Sequence, residues 1–314
     1  MARFTASSLD LSTLDPSTLF TPLTFEGIRA ARVADIVARL TAAGWAYDVT
    51  ALETDPAIYL QESGAYRELL GNQTIRDAQL SVLLAFAQGP FLDQLGINQQ
   101  TARAVVTPAV LDPNGNITTP AVMELDSRYR ARIQLAPEAY SATGTAGGYI
   151  YYAMGASPLV ADCGCAVLNR GTPDVMVELT IMSNNNGGVP TPDIITAVQN
   201  AVLADDVKLL TDTISIRAAQ ATPYSVIATL YILPGPDPTL IQTNALTALT
   251  AMAAKYQRLS AGVPLSAIIA ALSVAGVDSV VVQSPAASVA TQRFQFGSFT
   301  GAPLNVVTIN SPDD

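Results

Sequence analysis

An apolar stretch with helical spacing runs from Asp55-Pro56 to Gly89-Pro90, and it constrains the fold more than any other feature. Proline is favoured at the first position of a helix, and a Gly-Pro pair ends one. The interval therefore predicts one helix of about 32 residues, roughly 48 Å long at 1.5 Å per residue. A shorter helix is predicted before it, beginning after the N-cap Thr24 and ending at Gly44.

The long helix carries an apolar stripe that one short helix cannot easily cover. One interpretation is a hairpin with the preceding helix; the other is a bundle with helices from other chains. For the bundle, the candidate interface residues are Tyr59, Tyr66, Leu69, Leu70, Gln73, Leu80, Leu83 and Leu84. The polar Gln73 within this stripe would help to fix the register of the bundle.

Charge and composition exclude several classes of function. The 314 residues include 16 Lys and Arg, 26 Asp and Glu and no His, which gives a formal net charge of -10. The lack of His removes His-based nucleophile systems and His-based metal sites, and the acidic balance argues against a nucleic-acid partner. Charged residues make up 13 %, about half the usual share. Either an Ala-rich composition or extensive subunit interfaces would explain this low share.

No segment predicts membrane insertion or secretion. The N-terminus, Met1 to Asp15, lacks the apolar core of a signal peptide. Residues 258–278 contain no charge between Arg258 and Asp278, but Pro264 and Gly276 limit the helix to about 16 Å, too short for a bilayer. This segment is interpreted as a buried helix, and no membrane partner is expected.

The remaining sequence predicts an α+β protein with three regions. The long-helix region covers residues 1–105, a middle α+β domain covers 106–219, and a C-terminal α+β domain covers 220–314. The turn at Asn114-Gly115 indicates a hairpin or a linker near the first boundary. A helix from Glu124 to Ala136 is expected to end at Pro137. The other predicted elements are strands at 158–168, 175–182, 213–217, 224–233, 277–283 and 304–309, with helices at 149–154, 192–204, 240–259 and 265–272.

No residue pattern predicts catalysis, a cofactor or a metal. The acidic pairs Glu53/Asp55 and Asp205/Asp206 lie at expected helix ends, where capping explains them. The glycines of 144–148 match no phosphate-binding motif and are assigned to a tight turn with close packing. Cys163 and Cys165 lack further soft ligands; two small apolar residues on one strand face are favoured over a strained redox pair.

Five segments, in this order, resemble the baseplate J family of contractile-tail phages over nearly the whole chain. They are residues 62–70, 89–96, 124–133, 141–160 with Gly147-Gly148-Tyr149, and 223–236. Tyr152 departs from the family, because many relatives carry His there, and this departure affects only a pH-sensitive role at that position. The Cys-Gly-Cys sequence is also unusual.

The resemblance implies a structural baseplate wedge subunit without an active site, as in phages, tailocins and other contractile injection systems. It implies that two copies pack with one companion, a tail protein I-like wedge protein, through a helical bundle. The C-terminal domains would close a sixfold ring around the hub. Further implied partners are a small lysozyme-like-fold protein that initiates the sheath, and the hub and sheath region. The implied location is the virion tail baseplate, after assembly in the host cytoplasm.

Two alternatives belong to other functional classes. A tail-associated cell-wall hydrolase would require a carboxylate pair with perturbed pKa values in a cleft. A secreted carbohydrate-binding module would require stacked aromatic side chains, and the chain has a single tryptophan, Trp45.

Overall fold

The computed structural model describes residues 11, 14–16, 23–46, 55–141, 144–232, 234–235 and 237–308. The contacts divide the chain into a Leu9–Ala102 unit and an Arg103–Asp314 unit. Helices precede small sheets with helices between them, so the predicted α+β class is confirmed. The division into domains 1–105, 106–219 and 220–314 stays a prediction. Within the described residues, no helix is both long enough and apolar enough to cross a membrane.

The Leu9–Ala102 unit contains helices whose starting points follow the sequence signals. They are α1 (Phe25–Ala42), α2 (Pro56–Ser81) and α3 (Gly89–Asn98). The Thr24 hydroxyl accepts the Gly27 N–H at 3.2 Å, and the Asp55 carboxylate accepts the Ala57 N–H at 2.7 Å. These side chains satisfy backbone donors that have no partner within the helix.

The predicted end of the long helix at Gly89-Pro90 is wrong, because α2 ends at Ser81. The Ser81 hydroxyl donates to the Ala78 carbonyl at 2.7 Å, and the Leu83 N–H donates to the Leu80 carbonyl at 3.1 Å. Such local side-chain bonds and tightened i to i+3 bonds compete with continued α-helix. Turns then follow, and Ala87 is fully buried. The helix therefore has 26 residues, about 39 Å.

Helices α1 and α2 pack against each other within the chain. Ile28 of α1 and Ile58 and Ala65 of α2 are buried. Arg29 donates to Glu62 at 2.8 Å, and Arg32 donates to Glu68 at 3.0 Å across the same pair of helices. These ion pairs advance in the same direction along both helices, so they do not show the antiparallel hairpin of the first interpretation. Helix α1 thus covers one side of α2.

The Arg103–Asp314 unit begins with two short antiparallel ladders. Strand β1 (Val105–Thr107) pairs with β4 (Val122–Met123), and β2 (Val110–Leu111) pairs with β3 (Ile117–Thr119). The Asp112 carboxylate accepts the N–H groups of Asn114 and Asn116, both at 2.8 Å, and Gly115 adopts a φ of 85°. The hairpin predicted from Asn114-Gly115 is confirmed.

The middle part of this unit combines helices with a three-stranded sheet. Its elements are α4 (Asp126–Ala139), α5 (Ala146–Ala156), β5 (Val160–Leu168), β6 (Met176–Ser183), α6 (Pro192–Val202) and β7 (Ile214–Ala218). The sheet order is β5-β6-β7, antiparallel and then parallel. Helix α4 continues past Pro137, contrary to prediction. Leu135 and Ala136 are buried in its last turns, and this burial holds the helix around the missing proline N–H.

The C-terminal part consists of two sheets and two packed helices. Its elements are β8 (Gln220–Ser225), β9 (Ile227–Ile232), α7 (Pro238–Tyr256), α8 (Leu265–Leu272), β10 (Val277–Ser284), β11 (Gln295–Gly301) and β12 (Leu304–Thr308). Strand β9 lies between β10 and β12, while β11 pairs with β8 in parallel. The sequence prediction missed the first part of β8 and all of β11. Strand β11 carries Gly297 and Gly301, residues that are unfavourable in strands.

This unit contains two hydrophobic cores that share no buried residue. The middle core is Leu135, Tyr149, Ile150, Ala153, Met154, Val160, Cys163, Leu179, Ile181, Ile194, Val198 and Val202. The C-terminal core is Tyr224, Val226, Ala228, Leu230, Ala245, Leu249, Val263, Ile268, Leu272 and Leu304. Helix α8 lies in the second core, as predicted for the uncharged segment.

Candidate interaction surfaces

Helix α2 presents an exposed apolar face on a side other than the one that carries Ile58 and Ala65. Tyr59, Tyr66 and Leu70 are 57 %, 56 % and 44 % exposed, and Gln73 is also exposed. Their spacings of seven, four and three residues put all four on one side of the helix. We call Tyr59, Tyr66, Leu70 and Gln73 the α2 outer face. Exposed aromatic and aliphatic residues in one row are typical of surfaces that contact other chains.

The other four predicted interface residues differ from these in burial or in position. Leu69 lies near the row of Ile58 and Ala65, whereas Leu80 lies at the edge of the α2 outer face, seven residues after Gln73, and both are partly buried. Leu83 and Leu84 come after the end of α2, in the turns that begin at residue 82. The structure therefore leaves four of the eight predicted residues exposed on one face, while the other four are partly buried or lie beyond the helix.

Exposed apolar residues outside α2 were not identified from the sequence. In the Leu9–Ala102 unit they include Val82, Phe91 and Ile97. Residues 105–123, which form the two short ladders, are called the hairpin segment. In this segment the exposed apolar residues are Val105, Val110, Leu111, Ile117, Val122 and Met123. The low share of charged residues was the available signal, but composition does not locate a patch.

A buried ionic cluster fixes the base of the hairpin segment. The Glu124 carboxylate is bonded by both Arg128 and Arg132, and one of its oxygens accepts the Ala104 N–H at 2.8 Å. Arg128 also donates to the carbonyls of Ser157 and Val160 at 2.8 and 2.9 Å. Burial lowers the pKa of Arg128, while the charge of Glu124 opposes this change. Both arginines are thus paired with one buried carboxylate.

Arg103 holds the other side of the hairpin base. It donates to the Asp126 carboxylate at 2.6 Å and to the Glu124 carbonyl at 3.0 Å, and its guanidinium lies 4.6 Å from the centre of the Tyr129 ring. Because the largely buried Arg103 side chain bonds to residues 124 and 126 at the other end of the strands, it ties the two ends of the segment together.

The two cysteines do not form a reactive pair. Both are free, Cys163 is buried, and Cys165 is partly buried. Burial raises the pKa of Cys163 well above its ordinary value and that of Cys165 to about 11. Both therefore remain protonated thiols at neutral pH, and a thiol is a poor nucleophile.

Helix capping accounts for Asp237 and for the start of the glycine-rich stretch. Asp237 caps α7 by accepting the Thr239 N–H at 2.9 Å, and Thr145 caps α5 by accepting the Gly148 N–H at 3.0 Å. Glu53 lies outside the described residues, and the pair Asp205/Asp206 is exposed. Among the described residues, no group of three or more His, Cys, Asp or Glu could hold a metal ion. The hydrolase alternative stays a prediction.

Exposed apolar surfaces on a chain with few charged residues are typical of the class of assembly proteins. A sequence comparison supports this class: the Baseplate J-like N-terminal domain matches residues 53–110. Baseplate protein J of Escherichia phage P2 is 36 % identical over 290 residues, which cover 91 % of this chain and 94 % of that protein. The chain therefore belongs to the baseplate J family, and its role is that of a structural protein of a phage tail baseplate.

Proposed function

We propose that this chain is a wedge subunit that joins other baseplate chains through the α2 outer face. The observation that carries the proposal is the exposure of Tyr59, Tyr66 and Leu70 in one row on a helix whose other side already packs on α1. Two copies of the chain and one companion protein resembling tail protein I would form the helical bundle. The C-terminal part would then contact the neighbouring wedge and close a sixfold ring around the hub, as a heterologous contact can.

The energetics favour burial of the α2 outer face in an assembly. Fully burying a large apolar side chain contributes about 1.5–3 kcal/mol, so three such residues supply a substantial part of a stable interface. Tyrosine suits this position because its ring is apolar while its hydroxyl can still find a polar partner. Gln73, in the same row, would restrict the register of the bundle because an amide in an apolar seam needs a matched partner.

The remaining proposed contacts follow from the family. They are a small lysozyme-like-fold protein that initiates the sheath, and the hub and sheath region. Assembly in the host cytoplasm would precede the final location in the virion tail. The proposal includes no catalytic step and no cofactor.

The test is copurification of outer-face variants with the companion tail protein. Leu70→Asp places a charge within the α2 outer face and should abolish the complex, because a buried unpaired carboxylate is strongly unfavourable. Ile75→Asp is the matched control: Ile75 is 58 % exposed on the same helix but on a different side. Ile75→Asp should retain the complex.

Retention of the companion by Leu70→Asp, at the parent level, would contradict the assignment of the α2 outer face. Circular dichroism and the thermal midpoint of each variant establish that the chain is folded. Loss of the complex in both variants would also contradict the assignment, because it would show no preference for this side of α2.

A further inference from the structure

The chain passes from the middle core to the C-terminal core without a linker. The Ala219 N–H donates to the Ile181 carbonyl at 2.8 Å and so extends the β6–β7 pairing by one residue. The next residue, Gln220, donates its N–H to the Phe294 carbonyl at 2.9 Å and begins β8. We call residues 103–219 the middle layer and residues 220–308 the C-terminal layer. The N–H groups of these two consecutive residues therefore bond within different layers.

The apolar contact between the layers is small. Met182, Ala219 and Phe296 are buried together, and Val189 and Leu259 pack against them. None of the three buried residues belongs to either large core. Each core therefore keeps its own burial whether or not this small cluster is intact.

Phe296 fits this contact because its partner is a glycine. Gly188 has a φ of 96°, and a Cβ at this position would overlap the Phe296 ring, with its nearest atom at 2.5 Å. The ring thus inserts into the turn at residues 186–188 without a side chain in its way. This contact aligns the layers but buries little surface.

Two carboxylates of the middle layer make the polar contacts across the boundary. Asp162 accepts the Leu259 N–H at 3.0 Å. Glu178, which is buried, accepts from Arg293 at 2.9 Å. Arg217 of the middle layer lies 3.9 Å from Glu178 and stacks 3.7 Å from the centre of the Phe294 ring. Charged side chains of both layers and the Phe294 ring therefore lie in contact at the boundary.

We propose that this boundary is a hinge plane, which opens while both cores stay folded. The Glu178–Arg293 ion pair and the bond from the Leu259 N–H to Asp162 hold it closed. Opening exchanges these bonds for bonds to water and exposes the small Met182–Ala219–Phe296 cluster, whereas opening either core would expose many more apolar side chains. Polar interfaces within a chain commonly permit relative motion of the parts they join. The hinge lets the C-terminal layer change direction as a body, and it does not depend on the proposed role of α2.

Hydrogen exchange of individual amides on the full chain tests the hinge. The Leu259 amide, which donates across the boundary to Asp162, reports opening of the boundary, and the amides of Leu179 and Leu230 report the two cores. Under conditions where exchange measures equilibrium opening, the Leu259 amide of the parent should exchange faster than the core amides. Glu178→Gln should accelerate exchange of the Leu259 amide by about tenfold or more, the factor expected from loss of a charged hydrogen bond, and leave the core amides unchanged.

The matched control is Asp126→Asn, which removes the ion pair with Arg103 in the same unit but away from the boundary. It should leave exchange of the Leu259 amide at the parent rate. If Glu178→Gln fails to fold, Arg293→Gln removes the same ion pair from its more exposed side, where the arginine side chain is 46 % exposed.

Two results would overturn the proposal. In the first, the Leu259 amide and the core amides of the parent exchange at one common rate, which indicates that they open only by global unfolding. In the second, loss of the Glu178–Arg293 pair accelerates exchange of the Leu259 amide and of the core amides equally.

Discussion

The Leu9–Ala102 unit and the Arg103–Asp314 unit bury their apolar residues to different degrees. In the first, α1 and α2 pack through a few buried residues, and apolar side chains such as Tyr59, Tyr66 and Phe91 remain exposed. In the second, two cores are complete within one chain. The difference indicates that the second unit derives more of its stability from cores within the chain, while the helices of the first unit leave more of their apolar side chains exposed.

The ion pairs of the two units should differ most in their contribution to stability. Glu124 is buried between Arg128 and Arg132, whereas Glu62 shares a partly exposed pair with Arg29. Glu124→Gln should reduce the free energy of unfolding by about 3–5 kcal/mol, because it leaves buried arginines without their counter-charge. Glu62→Gln should reduce it by less than about 1 kcal/mol. Denaturant unfolding of the isolated chain measures both, and equal losses would contradict the contrast.

Leucine truncation gives the next largest expected difference. Leu230 is fully buried in the C-terminal core, and Leu70 is 44 % exposed on the α2 outer face. Leu230→Ala should destabilise the isolated chain by about 2–5 kcal/mol, and Leu70→Ala by no more than about 0.5 kcal/mol.

For binding to the companion protein, the relative effects of these two variants should be reversed. Leu70→Ala should then weaken association with the companion protein, while Leu230→Ala should not affect it in samples that remain folded. Binding measured by titration calorimetry checks this reversal. An unchanged affinity for Leu70→Ala would show that exposure on α2 does not mark the interface.

The smallest expected effect concerns Asp162 and depends on pH. Burial raises the pKa of this carboxyl, while the N–H groups of Leu259 and Cys163 and the charge of Arg258 oppose the rise. The folded chain therefore holds a proton on Asp162 more tightly than the unfolded chain does. The charged form lowers stability at neutral pH, and that loss is recovered as the pH falls through the raised pKa.

The thermal midpoint of the parent minus that of Asp162→Asn should accordingly increase from about pH 7 to about pH 4.5, toward the ordinary carboxyl range. Asn also has one acceptor oxygen fewer than Asp, but this loss shifts the difference in thermal midpoint by the same amount at every pH. Asp193→Asn, at an exposed position in the first turn of α6, controls for the removal of one negative charge. A difference that shrinks as the pH falls would contradict the assigned sign.

Local signals allowed correct prediction of most element starts. The caps Thr24 and Asp55, the proline at residue 192 and the Asn114-Gly115 turn each determine a backbone conformation within a few residues. The errors lie where tertiary contacts decide. Helix α2 ends at Ser81 through a local bond and the burial of Ala87, and β11 forms because β8 offers it a partner.

The candidate surface was predictable only in part. Helical periodicity identified Tyr59, Tyr66, Leu70 and Gln73, which lie together on the α2 outer face. Periodicity cannot distinguish the side that packs on α1 from the side that remains exposed, so Leu69 and Leu80 were included with them. The sequence predicted a domain boundary at residues 219 and 220, where the layers meet, but not the contacts across it, because Asp162, Glu178 and Arg293 are far apart along the chain.

The most direct test of the central claim is the mass of the chain in solution, alone and coexpressed with its neighbouring tail proteins. Light scattering after size-exclusion chromatography provides this mass. We expect a stable complex that contains two copies of this chain and one smaller companion, and we expect Leu70→Asp to eliminate it. A monomer that binds none of the coexpressed tail proteins would contradict the assignment of the α2 outer face as an assembly surface.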